Sequence, residues 1–209
     1  MRAFGFPFQT RMIVVKLRDG SLWINSPVIS TQREADSIAE LGPVRYLVSP
    51  TPMHSWRVRD CANFFPDAQR WGPPRVRFGV DTFPYTLMDR PPPTWSDDFD
   101  QIVFRGSFVL NEVYFLHKAS RTLIVADFFQ NYDARQHGWP LVMLLKMLGV
   151  LGGGVPVDVK LSFIAGRARG RASLQKMLTL DFDKLIVAHG DCIQSGAKQV
   201  IARAFSFLA

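Results

Sequence analysis

The chain has 209 residues and a mass of 23.7 kDa, and its 47% hydrophobic and 21% charged content is typical of one globular domain, residues 1–209, with a sizeable core. The formal net charge of +7 permits anionic partners but identifies none. Two cysteines exclude a disulfide framework and a four-thiolate zinc site, so we expect a protein of the reducing cytoplasm.

The first part of the chain predicts a β–β–α–β order. Residues 1–11 are too short and too interrupted by polar residues for a signal peptide. Residues 11–25 contain two β-type runs joined by an Asp-Gly pair, which is a strong hairpin signal. Thr31 and Glu34 have the spacing of a capping box at the start of a helix. The apolar run at 44–50 then predicts a strand.

The middle of the chain is interrupted by prolines. A helix is expected from Ser55 up to Phe65, because Pro66 disfavours its continuation. Prolines then crowd residues 75–96, which indicates an irregular loop with short strands. The strands expected in and around this loop lie at residues 69–74, 76–78, 85–87, 100–106 and 107–117.

The most apolar stretch is residues 139–155. It contains Lys146, ends in glycines and is shorter than the roughly 20 residues that a membrane span needs. We favour a buried helix or a lid here over a helix at a membrane surface. Residues 160–164 predict a short strand or a helical turn. Further helices are expected within 165–181, which starts basic, and 195–209, which has an amphipathic spacing.

Three apolar strands each end at or before a side chain that can bind a metal ion. One of them is the second half of a hairpin within residues 112–127. Because the carboxyl ends of strands line the ligand crevice of layered α/β folds, we expect these side chains to converge. The strands are 44–48, 122–126 and 184–188, and the side chains are His54, Asp127 and His189.

Taken together, these features resemble the metallo-β-lactamase-like superfamily, closest to an uncharacterised bacterial branch known as a domain of unknown function. The resemblance implies an α/β fold, a four-layer αββα sandwich, with a metal site at the sheet edge. The segments that carry it span most of the chain in order, at residues 26–54, 65–74, 112–127 and 185–191.

The family's HxHxDH motif is degenerate in this sequence. The motif should begin at His54, but the positions of its other ligands are occupied by Trp56, Val58 and Arg59. The resemblance assigns the metal-bridging aspartate to Asp127 and the last histidine to His189.

The family's middle histidine has no clear counterpart. Glu112 and His117 are the nearest candidates, and side-chain alternation along a strand lets only one of them face the site.

This ligand set predicts a metal-dependent hydrolase that binds at most one divalent ion, Zn, Fe or Mn, and acts on a small-molecule ester, amide, thioester or phosphoester. Asp127 and His189 are its expected catalytic residues. The alternative is a non-catalytic small-ligand-binding protein that has lost its metal. A nucleic-acid-associated protein is less favoured, since only the net charge and a basic cluster support it.

Other residues near the motifs have functional and structural interpretations. Arg167, Arg169 and Arg171 have the character of a phosphate or acidic-ligand site, or of a solvated basic turn. Cys192 follows His189 closely, but a small buried hydrophobe is favoured over a nucleophile. Aromatic residues near the first motif are expected in the core, namely Trp56, Phe64, Phe65 and Trp71.

Overall fold

The described elements begin with strands, continue with strands and helices interspersed, and end mostly in helices. The computed structural model describes residues 2–3, 6–7, 10–74 and 83–209, with backbone alone for 2–3 and 6–7. The strand expected at 76–78 lies outside the described residues. The described strands are Arg2–Ala3 (β1), Phe6–Pro7 (β2), Ile13–Lys16 (β3), Leu22–Asn25 (β4), Val44–Val48 (β5), Gln69–Gly72 (β6), Tyr85–Thr86 (β7), Phe99–Phe104 (β8), Glu112–His117 (β9), Thr122–Val125 (β10) and Lys184–Val187 (β11).

Strands β1 and β2 pair with each other, and the other nine described strands form two mixed sheets. One sheet has the order β3-β4-β5-β6-β7, with an antiparallel β3–β4 hairpin followed by parallel neighbours. The other has the order β11-β10-β9-β8, in which β10 and β11 are parallel and the remaining pairs antiparallel. The hairpins predicted at 11–25 and 112–127 are therefore both confirmed.

Six helices occur within the described ranges, and none of them has the length and apolar character needed to cross a bilayer. The first begins with the predicted capping box, in which the Thr31 hydroxyl accepts from the Glu34 backbone N–H and the Glu34 carboxylate accepts from the Thr31 N–H. The helices are Gln32–Ala39 (α1), Val58–Phe64 (α2), Trp139–Leu148 (α3), Val157–Ser162 (α4), Arg167–Thr179 (α5) and Ala197–Ala204 (α6).

The two sheets stack face to face between layers of helices. Between them, Trp23 of β4 lies 4.9 Å from Phe115 of β9, ring centroid to centroid, and both are fully buried. Helices α5 and α6 cover the outer face of the β8–β11 sheet, and α1 and α2 cover the outer face of the β3–β7 sheet. Strands β4, β9 and β10 thus bury both faces, which explains their nearly continuous apolar sequences. The expected αββα sandwich is confirmed.

Three local expectations need correction. Residues 107–111 are a loop rather than part of a strand, because the Ser107 hydroxyl accepts from the backbone N–H groups of Val109 and Leu110 and turns the chain. Trp56 is not a core residue, since 48% of it is exposed. The apolar stretch 139–155 does form a helix, but only Leu145 of α3 is fully buried.

Candidate metal centre

The parallel pairing of β10 with β11 places Asp127 beside His189. Val125 lies opposite Val187 in the register, and each side chain follows two residues after its paired valine. Equivalent positions beyond two parallel neighbours leave the sheet at the same edge. The pairing is continued by a hydrogen bond from the Ala188 N–H to the Val125 carbonyl.

His54 reaches the same edge from the other sheet. The chain leaves β5 through Pro50 and forms a 3-10 turn over Pro52–His54. The Pro50 carbonyl accepts from the Val113 N–H at 2.9 Å, which ties this connection to β9 of the opposite sheet. His54 is 6% exposed, so the turn buries its imidazole at this edge.

The three side chains form one cluster around the Asp127 carboxylate. Asp127 Oδ1 lies 3.2 Å from His54 Nε2 and 3.5 Å from His189 Nε2. The ligand atoms all lie within 4.8 Å of one another. A tetrahedral ion with bonds of about 2.1 Å has ligand atoms about 3.4 Å apart, so both histidine–carboxylate distances suit a shared ion. The donor set fits a divalent metal.

The second oxygen of Asp127 is held by Thr51, whose buried hydroxyl donates to Oδ2. Burial alone would raise the pKa of Asp127, but the charge of His54 and hydrogen bonds from both histidines hold it well below its usual range. Asp127 is therefore a carboxylate at neutral pH, as a metal ligand must be.

Glu112 is not part of the cluster but holds the turn that carries Asp127. Its side chain is fully buried and accepts from the backbone N–H groups of Ala126, Asp127 and Phe128. Burial and the neighbouring Asp127 raise the pKa of Glu112 to about 8, although the three N–H groups act in the opposite direction. Both oxygens are occupied by the turn that carries Asp127, so Glu112 positions that residue.

His117 lies at the opposite end of β9 from Glu112, five residues along an extended strand. Its Nδ1 lies 2.8 Å from the Ser120 hydroxyl in the hairpin turn, and its ring lies 5.3 Å from that of Phe99. Burial lowers the pKa of His117. The structure therefore brings neither candidate for the middle histidine into the cluster.

The remaining positions of the degenerate motif point elsewhere. Val58, the first residue of α2, is 1% exposed and packs with Ile29 and Cys61 in the core between the helices and the sheet. Arg59 is exposed on α2. Neither can supply the carboxylate and imidazole of a second ion.

Asn131, which the sequence did not single out, fixes the loop after β11. Its backbone N–H donates to the His189 carbonyl at 3.2 Å, and its side-chain amide donates to the Asp191 carbonyl at 2.8 Å. Gly190 has φ +91°, and a Cβ there would lie 1.9 Å from the Asn131 carbonyl oxygen. From the other side, Arg11 donates to the carbonyls of Val187 and Gly190. A lone Asn or Arg in a loop carries no sequence signal for such a role.

The three arginines of the predicted basic cluster have different surroundings. Arg167 donates to the Ala209 carbonyl and Arg171 to the Leu208 carbonyl, so both fasten the last described turn to α5. Arg169 lines a separate cleft of about 570 Å³ beside Arg105 and Phe108. A second cleft of about 550 Å³ lies between residues 131–135 and Asp191, close in sequence to His189 of the metal cluster.

The sequence matches the family described as Domain of unknown function (DUF4336) over residues 6–137, which is more than half of the chain. The chain belongs to this family. The match to DUF4336 contains His54, Glu112 and Asp127, whereas His189 lies beyond it. No curated protein sequence matches this DUF4336 chain.

Solved metallo-β-lactamases share the fold of this DUF4336 chain. DIM-1 metallo-β-lactamase exposed to ceftazidime aligns with a TM-score of 0.67 at 13% identity, over 100% of this chain and 90% of that one. The enzyme from Hirschia baltica aligns at 0.63 and 9% identity, over 96% and 86%. The metal-soaked Flv1 flavodiiron core from Synechocystis sp. PCC6803 aligns at 0.59 and 10% identity, over 95% and 52%. At these identities the likeness shows the fold, and the resemblance found in the sequence is confirmed.

Proposed function

We propose that the protein is a metal-dependent hydrolase of metallo-β-lactamase type that uses one divalent ion, Zn, Fe or Mn. Its substrate class is a small-molecule ester, amide, thioester or phosphoester. The observation that carries the proposal is the convergence of His54, Asp127 and His189 within 4.8 Å at the sheet edge. Three protein ligands of this kind are typical of catalytic metal sites, which keep a position open.

Asp127 and His189 are the residues we assign to the reaction, together with His54. When bound, a divalent ion would supply Lewis acidity and a water of lowered pKa. The protein's own contribution is a fixed carboxylate. Thr51 orients one oxygen of Asp127, and Glu112 holds its backbone. Because Thr51 and Glu112 hold Asp127 in this way, its Oδ1 stays directed at the imidazoles of His54 and His189.

Among the described residues, the motif positions that would hold a second ion provide no ligands. Val58 is enclosed in the core, and Arg59 carries a permanent positive charge that repels a cation. We therefore expect hydrolysis weaker than that of two-metal enzymes. Two ions about 3.5–4 Å apart, the spacing of two-metal sites, would contradict the proposal.

A second candidate function is the binding of a small ligand without a metal. One observation favours it: Asp127 already accepts hydrogen bonds from His54, His189 and Thr51, so the cluster is satisfied without an ion. In either case the two unpaired cysteines support our assignment to the cytoplasm.

Elemental analysis of natively purified protein separates the two functions. We expect about one equivalent of Zn, Fe or Mn per chain, lost in His189→Ala and retained in Cys192→Ala. Cys192 is a matched control, because it lies half-buried in the same loop but outside the cluster. A metal-free protein that also fails to bind added Zn, Fe or Mn would reject the hydrolase and favour the ligand-binding protein.

A further inference from the structure

Helix α3 presents one apolar stripe to the outside of the molecule. Trp139, Met143 and Met147 are 79%, 52% and 73% exposed. They recur every four residues, so they lie along one side of the helix. The opposite side carries Leu145, which packs with Tyr132 and Val150 in a small cluster separate from the main cores. Within the part of the chain that the structure describes, helix α3 is thus packed on one side and exposed on the other.

The stripe has a counterpart on the next helix. Val157, Leu161 and Ile164 are 42%, 55% and 74% exposed, and they too recur at helical spacing through α4 and the turn that follows it. Helices α3 and α4 contact each other. We call these six side chains the apolar face. Large apolar side chains exposed on two contacting helices indicate an interaction site.

Basic residues border the apolar face. Residues 139–171 contain five Lys or Arg residues and a single acidic residue, Asp158, a net charge of +4. Lys146 is exposed on α3. Lys160 places its Nζ 3.8 Å from where a Cβ of Gly149 would stand, at the carboxyl end of α3. Arg167 and Arg169 are exposed just beyond Ile164.

The charge of this border decides between the occupants of the apolar face. Two copies of the chain meeting through the same face would bring two basic borders together, and like charges would oppose association. An anionic phospholipid surface complements both features, because apolar side chains enter the acyl boundary while Lys and Arg stay among the headgroups. Tryptophan is enriched at that depth.

We propose that α3 and α4 dock the protein on anionic phospholipid membranes through the apolar face. The helices lie on the bilayer and do not cross it. The inference does not depend on the proposed hydrolase, since it uses none of the residues of the metal cluster. Its test is the sedimentation of the full chain with vesicles of phosphatidylcholine alone or of phosphatidylcholine mixed with phosphatidylserine.

We expect the wild-type chain to sediment with the mixed vesicles, to be released by salt, and to bind phosphatidylcholine vesicles far less. Met143→Gln combined with Met147→Gln should lower the partition coefficient at least about tenfold, because two apolar side chains no longer leave water. Met88→Gln, on an equally exposed methionine outside the face, should leave it unchanged.

The basic border is tested in the same assay. Lys146→Gln should weaken binding about fivefold, which corresponds to about 1 kcal/mol per basic residue near the surface. Lys16→Gln, on an exposed lysine of β3, is the matched control. Trp139 fluorescence gives a second readout: its emission should shift to the blue with mixed vesicles, and Trp139→Phe should remove most of that shift. Thermal unfolding confirms that each variant is folded.

Three outcomes would overturn the proposal. The first is an absence of sedimentation with either vesicle. The second is equal binding to both compositions, because the basic border would then have no role. The third is self-association in light scattering that Met147→Gln abolishes while vesicles bind nothing. That result would make the apolar face an interface between copies of the chain.

Discussion

The role of Glu112 can be tested by one isosteric substitution, Glu112→Gln. One oxygen of the carboxylate accepts from the Ala126 N–H and the other from the N–H groups of Asp127 and Phe128. The amide of glutamine keeps one acceptor and replaces the other with a donor. In the better orientation, the amide oxygen of glutamine still accepts from two of the three N–H groups. The NH₂ group then faces the third N–H group, which is buried and left without an acceptor.

The expected cost follows from this count. The lost hydrogen bond and the unsatisfied buried N–H group together lower the free energy of unfolding by about 3 kcal/mol. For a chain of this length, the midpoint of thermal unfolding should fall by roughly 6–12 °C. Glu40→Gln makes the same substitution at an exposed position and should change stability by less than about 0.5 kcal/mol.

The assay is urea or thermal unfolding of both variants after metal has been removed by a chelator. If Glu112 supports the Asp127 turn, the loss appears in the metal-free protein. If Glu112 were instead a metal ligand, the metal-free variant would be as stable as the wild type and only metal content would fall. A loss below about 1 kcal/mol without metal would therefore refute the supporting role.

Two further predictions concern the scaffold. Thr31→Ala removes the side-chain acceptor of the α1 capping box and should cost about 1 kcal/mol in urea unfolding, whereas Thr31→Ser should be nearly neutral. Burial alone would raise the pKa of Asp89, but hydrogen bonds from Arg105 and the Val103 N–H lower it below the unfolded value. The stability contributed by Asp89 is therefore complete at neutral pH and is lost as the pH falls below about 4. The difference in unfolding free energy between wild type and Asp89→Asn should accordingly shrink at about pH 3; a difference that stays constant would contradict this assignment.

Local signals determined much of the fold from the sequence. The Asp-Gly hairpin and the Thr31 capping box depend on residues only a few positions apart, so their geometry is set before any tertiary contact forms. The sequence also predicts the apolar strands that precede Asp127 and His189, because buried strand positions exclude polar residues until the chain leaves the sheet.

The choice between Glu112 and His117 required the tertiary structure. Alternation along β9 separates the two onto opposite faces but does not say which face meets the turn after β10. That depends on the pairing of β9 with β10, in which Glu112 lies next to the chain leaving β10 and His117 next to the hairpin turn. The Glu112 carboxyl group then accepts hydrogen bonds from backbone N–H groups, and the His117 ring forms a hydrogen bond with the Ser120 hydroxyl.

For the apolar stretch at 139–155, too, the sequence predicts the helix but not which of its sides is packed. Its composition predicts a helix, but a helix with apolar residues on every side has no pattern that distinguishes a packed face from an exposed one. Only the folded chain shows that Leu145 packs on Tyr132 while Trp139 and Met147 face outwards. Sequence sets what each segment can become, because propensity and capping act locally. Which surfaces meet is decided by contacts between residues far apart in the chain.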